Sequence, residues 1–272
     1  MTYKLNYPVA TVVFAGLVVP SLAALLAKLL FEDQLWASPA FHSLLEGLGV
    51  LLNISLAIYI LLHIRCKLLT PRFIWPASGF LAMAMIGAFH GSLAPSNTFV
   101  GLHSIGVLLG GLLFSLIVLP AKIQQQRWIK AVPLLAISLG LLVSITVILS
   151  DHLLPISFLQ EGKFSPLAII LNSLGGLGFL LITLYLLLNR NADLSHYLLA
   201  IMTLMFAVSA VLFEYSTLWD ATWWLWHFLR FVSLSLLLAY FFYWFYLQTE
   251  ITRSQAEKFE NLAFRDSLTQ LP

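Results

Sequence analysis

A chain of 272 residues that is 60% hydrophobic and 10% charged, with a mean hydropathy of +0.93, stands far from the roughly 25% charged residues of an ordinary soluble domain. It reads as an integral membrane protein. The net charge of +2 gives no footprint for a nucleic-acid partner, and a single cysteine, Cys66, excludes a disulfide framework and a cysteine metal cluster.

A membrane span takes ~20 mostly apolar residues. In chain order the runs that qualify are Val9–Phe31, Phe41–His63, Phe73–Ala94, Thr98–Leu119, Trp128–Ser150, Phe164–Leu188, Leu194–Glu214 and Thr222–Phe245. They predict an all-α polytopic bundle of about eight transmembrane helices with a cytoplasmic signalling helix. The first run is too long for a cleaved signal peptide and lacks its small-residue cleavage site. If the spans alternate, Lys4, Arg65, Lys67, Arg72, Lys122, Arg127, Lys130 and Arg190 fall on one side, and Glu32, Asp33, Asp151, Glu161 and Asp220 on the other, where only Lys163 is clearly basic. The positive-inside bias makes the first side cytoplasmic, so both termini are expected inside.

After Phe245 the composition changes to "YLQTEITRSQAEKFENLAFRDSLTQLP". Leu247, Ile251, Gln255, Phe259 and Leu262 keep a 3–4 spacing with charges between them, which fits either a parallel coiled-coil-like contact in a homodimer or a solvated amphipathic extension. The expected organisation is a transmembrane sensor over 1–246, a linker helix over 247–263 and a further segment over 264–272.

Polar groups gather in one leaflet. Along helices rising ~1.5 Å per residue, His42 starts the second span at its outer end and Glu46 sits about 6 Å deeper. His90 lies about 6 Å below the outer end of the third span, and His103 about 8 Å below the outer start of the fourth. His227 and Arg230 enter the eighth about 8 and 12 Å from its outer start, with Glu214 closing the seventh on the same side. Ionisable groups inside a span are costly and point to a functional site. The bland reading is a structural network, with His42 bonded to Glu46 and Arg230 paired with Glu214. His63 and His196 sit at cytoplasmic helix ends, where snorkelling explains them, and His152 begins an outer loop.

Imidazole binds metal ions and haem iron alike. A haem b would use His42, His90, His103 or His227 as axial ligands, with Arg230 on a propionate and Gly47, Gly49, Gly87, Gly91, Gly106, Gly110 and Gly111 letting a flat ring approach. Those glycines equally suit ordinary helix packing. A bare copper or zinc ion would use His42, Glu46, His90, His103 and His227, with Glu214 behind them. Further readings are a cofactor-free receptor for a small apolar or periplasmic ligand, and a b-type cytochrome-like redox protein. Trp36, Trp219, Trp223, Trp224 and Trp226 read as an interfacial belt. A retinal protein would need a mid-span lysine, and only Lys28 comes near one. A transporter would want polar groups across the midplane, whereas the cytoplasmic halves are nearly pure Leu, Ile, Val and Phe.

Two resemblances extend this. "FRDSLTQLP", Phe264 to Pro272, resembles the opening of a GGDEF diguanylate cyclase domain, with Asp266, Leu268, Thr269, Leu271 and Pro272 matching. "FHSLLEGLGVLLNISLAI", "GAFHGSLAP" and "LFEYSTLWDATWWLWHFLRF" resemble the blocks of the membrane-associated sensor domains called MASE, most like the third type. The positions carried over are His42, Glu46, His90, Glu214, Asp220, His227 and Arg230. Where that pattern has an acid three residues before the histidine, this chain has Gly87. The resemblances imply the sensor half of a longer protein in a bacterial inner membrane, surrounded by lipid. A dimeric cyclase downstream would use GTP and Mg to make cyclic di-GMP, and no catalytic residue falls in this segment.

Overall fold

The computed structural model describes residues 9–31, 34–150, 157–160, 162–188 and 194–263. Among them, eight helices are long and apolar enough to cross a membrane. These are α1 (Val9–Phe31), α2 (Pro39–Arg65), α3 (Ile74–Ser92), α4 (Asn97–Ser115), α5 (Val132–Leu149), α6 (Pro166–Leu187), α7 (Leu194–Glu214) and α8 (Ala221–Ala263). The chain is therefore a helical membrane bundle, as its composition predicts. Lys4, Glu32, Asp33, Asp151, His152, Glu161, Arg190 and the cyclase-like segment 264–272 lie outside the described residues.

Local chemistry sets the helix ends. Proline opens α2 and α6 in the first turn, where its missing N–H costs nothing. The Ser96 and Ser165 hydroxyls accept the backbone N–H of Phe99 and Ala168, at 3.1 and 3.3 Å, and so cap α4 and α6. Helix α6 starts two residues later than the apolar run suggests because Lys163–Phe164 pairs with Leu159–Gln160 as a small antiparallel hairpin. Gly162 supplies its positive φ of 80°. In α1, a π-helical turn at Phe14–Val18 precedes Pro20, whose ring and missing N–H disturb the regular ladder.

Six helices close a ring in the order α2, α3, α4, α6, α7, α8 and back to α2. Outside it, α5 packs on α3 and α4, and α1 packs on α7 and α8. Small residues bring the ring together. A side chain at Gly111 would meet the Gly175 backbone, and one at Gly178 would meet that of Gly111, so α4 and α6 touch main chain to main chain. Gly110 likewise lets Met83 of α3 against α4. Gly110 and Gly111 thus serve helix packing, and Gly47 and Gly49 face open space.

Helix α8 runs unbroken for 43 residues, about 64 Å at ~1.5 Å per residue and roughly twice the hydrocarbon thickness. The expected boundary between sensor and linker at 246 falls inside it. From Phe245 to Glu260 its side chains are exposed, Leu247, Ile251 and Phe259 among them.

Candidate metal centre

His42 stands in the first turn of α2 and Glu46 one turn later, on the same face. The Nε2 of His42 is 3.9 Å from Glu46 Oε1. Helix α3 ends at Ser92, in the turn that carries His90. The connection to α4 is so short that the Phe99 carbonyl accepts from His90 Nδ1 at 2.8 Å. On α8, His227 Nδ1 donates to the Trp223 carbonyl one turn back, at 2.7 Å. A carbonyl only accepts, so Nδ1 carries the proton in both rings and Nε2 presents its lone pair.

All three Nε2 atoms, of His42, His90 and His227, are buried and without a hydrogen-bond partner. With a Glu46 carboxylate oxygen they form four potential ligand atoms within 4.8 Å of one another, and Glu46 Oε1 lies 3.6 Å from His227 Nε2. Bonds of ~2.0–2.2 Å to a tetrahedral ion would place such atoms about 3.3 Å apart, so small inward movements close the set. An imidazole whose second nitrogen is fixed by a carbonyl is the usual form of a metal ligand.

Three of the five tryptophans expected in a belt do not face outward, whereas Trp36 is exposed and Trp219 half-buried. Trp223, Trp224 and Trp226 are buried, because α8 turns this face into the ring. His227 stacks on Trp226 at 3.6 Å between centroids and packs on Trp223 at 4.0 Å. Trp36, on the α1–α2 connection, donates its N–H to the Trp219 carbonyl and accepts from Trp224 Nε1, both at 3.0 Å. Asp220 caps α8: Oδ1 accepts the Trp223 N–H at 2.6 Å, and Oδ2 accepts the Thr217 N–H at 2.7 Å. The turn puts Trp219 at a φ of 74°, an unusual backbone for a bulky residue.

The remaining expected residues fall outside the four-atom group. His103 keeps its ring 5.3 Å from His90 and 6.2 Å from His227. Its Nδ1 faces Arg230 Nη1 at 3.5 Å, and since a guanidinium only donates, that nitrogen is the acceptor. Glu214 is exposed at the end of α7, so the Arg230–Glu214 pair does not form. Among the described residues no carboxylate comes within ion-pair distance of Arg230, whose guanidinium lies 5.5 Å from the Phe206 ring centroid. At the far end of the bundle His63 is buried, bonded through Nδ1 to the Tyr59 carbonyl at 2.8 Å and stacked on the Tyr59 ring. It does not snorkel. His196 packs edge-on to Phe73 there.

Several partners went unread in the sequence. The Phe99 and Trp223 carbonyls have no side-chain signal, although Trp223 sits four residues before His227. A side chain at Gly91 would come within 2.8 Å of Glu46 Cβ, so this glycine admits Glu46 against α3. Asn53 and Asn172 are buried amides with unpartnered Oδ1 atoms, each lining a small space shared with Arg230. Three such spaces, of about 10, 20 and 30 Å³, touch Arg230, and the two larger ones border the cluster, room for a water or two. A larger apolar groove of about 880 Å³ lies at the far end between α2 and α8, lined by Tyr59, His63, Phe242 and Arg253.

No protein-family model matches the chain, and neither a curated protein nor a solved structure does.

Proposed function

We propose that this chain is a membrane sensor that binds a metal ion through His42, Glu46, His90 and His227 in the outer leaflet and passes the state of that site along α8 to a cytoplasmic output. The observation that carries the reading is the convergence of three buried, unpartnered imidazole nitrogens with one carboxylate. Orphaned buried polar atoms cost ~1–3 kcal/mol each, and a bound ion satisfies all three together. A set of three nitrogens and one oxygen suits zinc or cupric ion. A bare ion is favoured over haem, because spaces of 10 to 30 Å³ fall far short of the ~300 Å³ or more of an organic ligand's pocket.

Ligands from α2, α3 and α8 make metal binding a constraint on where α8 sits. His227 is 36 residues from Ala263 on one helix, about 54 Å along its axis. A difference of ~1–3 kcal/mol in metal affinity between two α8 arrangements is enough to shift their populations. The exposed Leu247, Ile251 and Phe259 suit contact with the same helix of a second copy. The GGDEF-like "FRDSLTQLP" makes cyclic di-GMP synthesis by a dimeric cyclase, with GTP and Mg, the output. The short basic connections favour cytoplasmic termini in a bacterial inner membrane.

Metal analysis of the detergent-purified chain tests this reading. The expected result is about one zinc or copper per chain, lost in His42→Ala, His90→Ala and His227→Ala and kept in His63→Ala and His196→Ala. Equal metal in all five variants, or none in the parent after incubation with either ion, refutes the site. The large groove between α2 and α8 favours a second reading, a receptor for an apolar ligand, which a metal-free but regulated protein would support.

A further inference from the structure

Arg230 occupies an unusual position: a permanent cation inside the ring, one turn below His227, with His103 Nδ1 as its one hydrogen-bond acceptor among the described residues. A guanidinium has five N–H donors, and a charge at this depth is retained only when it is paired or wet. The three small spaces all touch it, and two of them also touch the cluster. One is bounded by Glu46, His90, His103 and Arg230 and measures about 20 Å³, enough for a single small ligand. The other two are lined by Asn53 and Asn172, whose buried Oδ1 atoms have no partner.

Charge then decides what sits there. A divalent ion on Glu46 would leave that carboxylate shared with the metal, and the metal with Arg230 would leave a net positive charge inside the membrane. No carboxylate, Glu46 included, is within ion-pair reach of Arg230 among the described residues. A zinc or copper ion on these four protein ligands takes a further one only by expanding from tetrahedral to five-coordinate geometry. Glu46, His90 and Arg230 line one and the same space.

We infer that the metal keeps an exchangeable position facing Arg230, and that this position takes a small inorganic anion, hydroxide in the space as it stands and a linear two- or three-atom anion where the side chains around it give way, with Arg230 as its counter-ion and His103 orienting the guanidinium. The inference rests on the metal reading. It assigns the site a signal class: a small anion that competes with hydroxide on the metal. It also gives His103 a place as a positioning residue.

The test loads the purified chain with cobalt(II), whose visible absorption reports coordination, and titrates azide. Bound cobalt is counted separately. Saturable change of the cobalt bands is expected in the parent. Arg230→Gln should keep one cobalt but weaken azide by about tenfold or more, the scale on which outer partners act at metal sites, and Arg230→Lys should recover part of that. His103→Ala should weaken azide less. Bound cobalt whose spectrum azide leaves unchanged, or equal azide affinity in the parent and Arg230→Gln, overturns the anion position and leaves the metal site standing. Failure of the parent to hold cobalt overturns both. Monodisperse Arg230→Lys guards against a folding defect, and the parent titration decides the matter without any variant.

Discussion

Glu46 Oε1 lies 3.6 Å from His227 Nε2, which joins the start of α2 to the start of the 43-residue helix α8. Because His42 Nε2 lies 3.9 Å from the same carboxylate oxygen, one side chain spans the two faces that a metal would bind together. Glu46→Gln keeps the shape and removes the charge. It should lower metal affinity by at least the ~10–100-fold that the loss of a group supporting a ligand costs, since Glu46 is itself a ligand in this reading, and equilibrium dialysis would measure it. Unchanged affinity would show that the three imidazoles suffice.

Metal binding to the folded chain alone should raise its thermal stability. At about 100 times the dissociation constant the gain is ~2.7 kcal/mol, visible as a raised melting temperature that a chelator reverses. A melting curve indifferent to zinc, copper and chelator would count against the centre.

Gly91 gives a test that leaves every ligand in place. A side chain there would come within 2.8 Å of Glu46 Cβ, so Gly91→Val should push Glu46 from α3 and weaken metal binding, whereas Gly47→Ala, facing open space, should not. If both variants bind like the parent, α2 has freedom that the packing does not suggest.

Asp220 closes the first turn of α8 and the preceding turn at once. Asp220→Ala should cost about 1 kcal/mol, within the ~0.5–2 kcal/mol of lost N-caps, read as a lower melting temperature. Asp220→Asn, which can still accept, should recover most of it.

The length of α8 makes transmission testable in a protein that carries the cyclase. Four residues inserted after Gln255 turn all that follows by about 40° and lengthen it by about 6 Å, while seven turn it by about −20° and add about 10 Å. The four-residue insertion should uncouple cyclic di-GMP synthesis from metal more severely, since seven nearly preserves the heptad phase. Signal dependence that survives both insertions would make the linker a passive tether.

Composition and run length were enough to specify the helices, because a span must satisfy its own backbone and be apolar for ~20 residues. Spacing also placed His42, Glu46, His90 and His227 at comparable depths, since depth is linear in residue number. Which of those groups meet is a property of ring order and helix rotation. Only the packed bundle shows that α8 lies beside α2, that Glu214 faces outward while Glu46 faces inward, and that His103 turns to Arg230. Helices this apolar on every side carry almost no rotational signal in sequence. Close contacts at Gly91, Gly111 and Gly175, and the tryptophans buried against His227, fix the rotation that converts a polar layer into four converging ligand atoms.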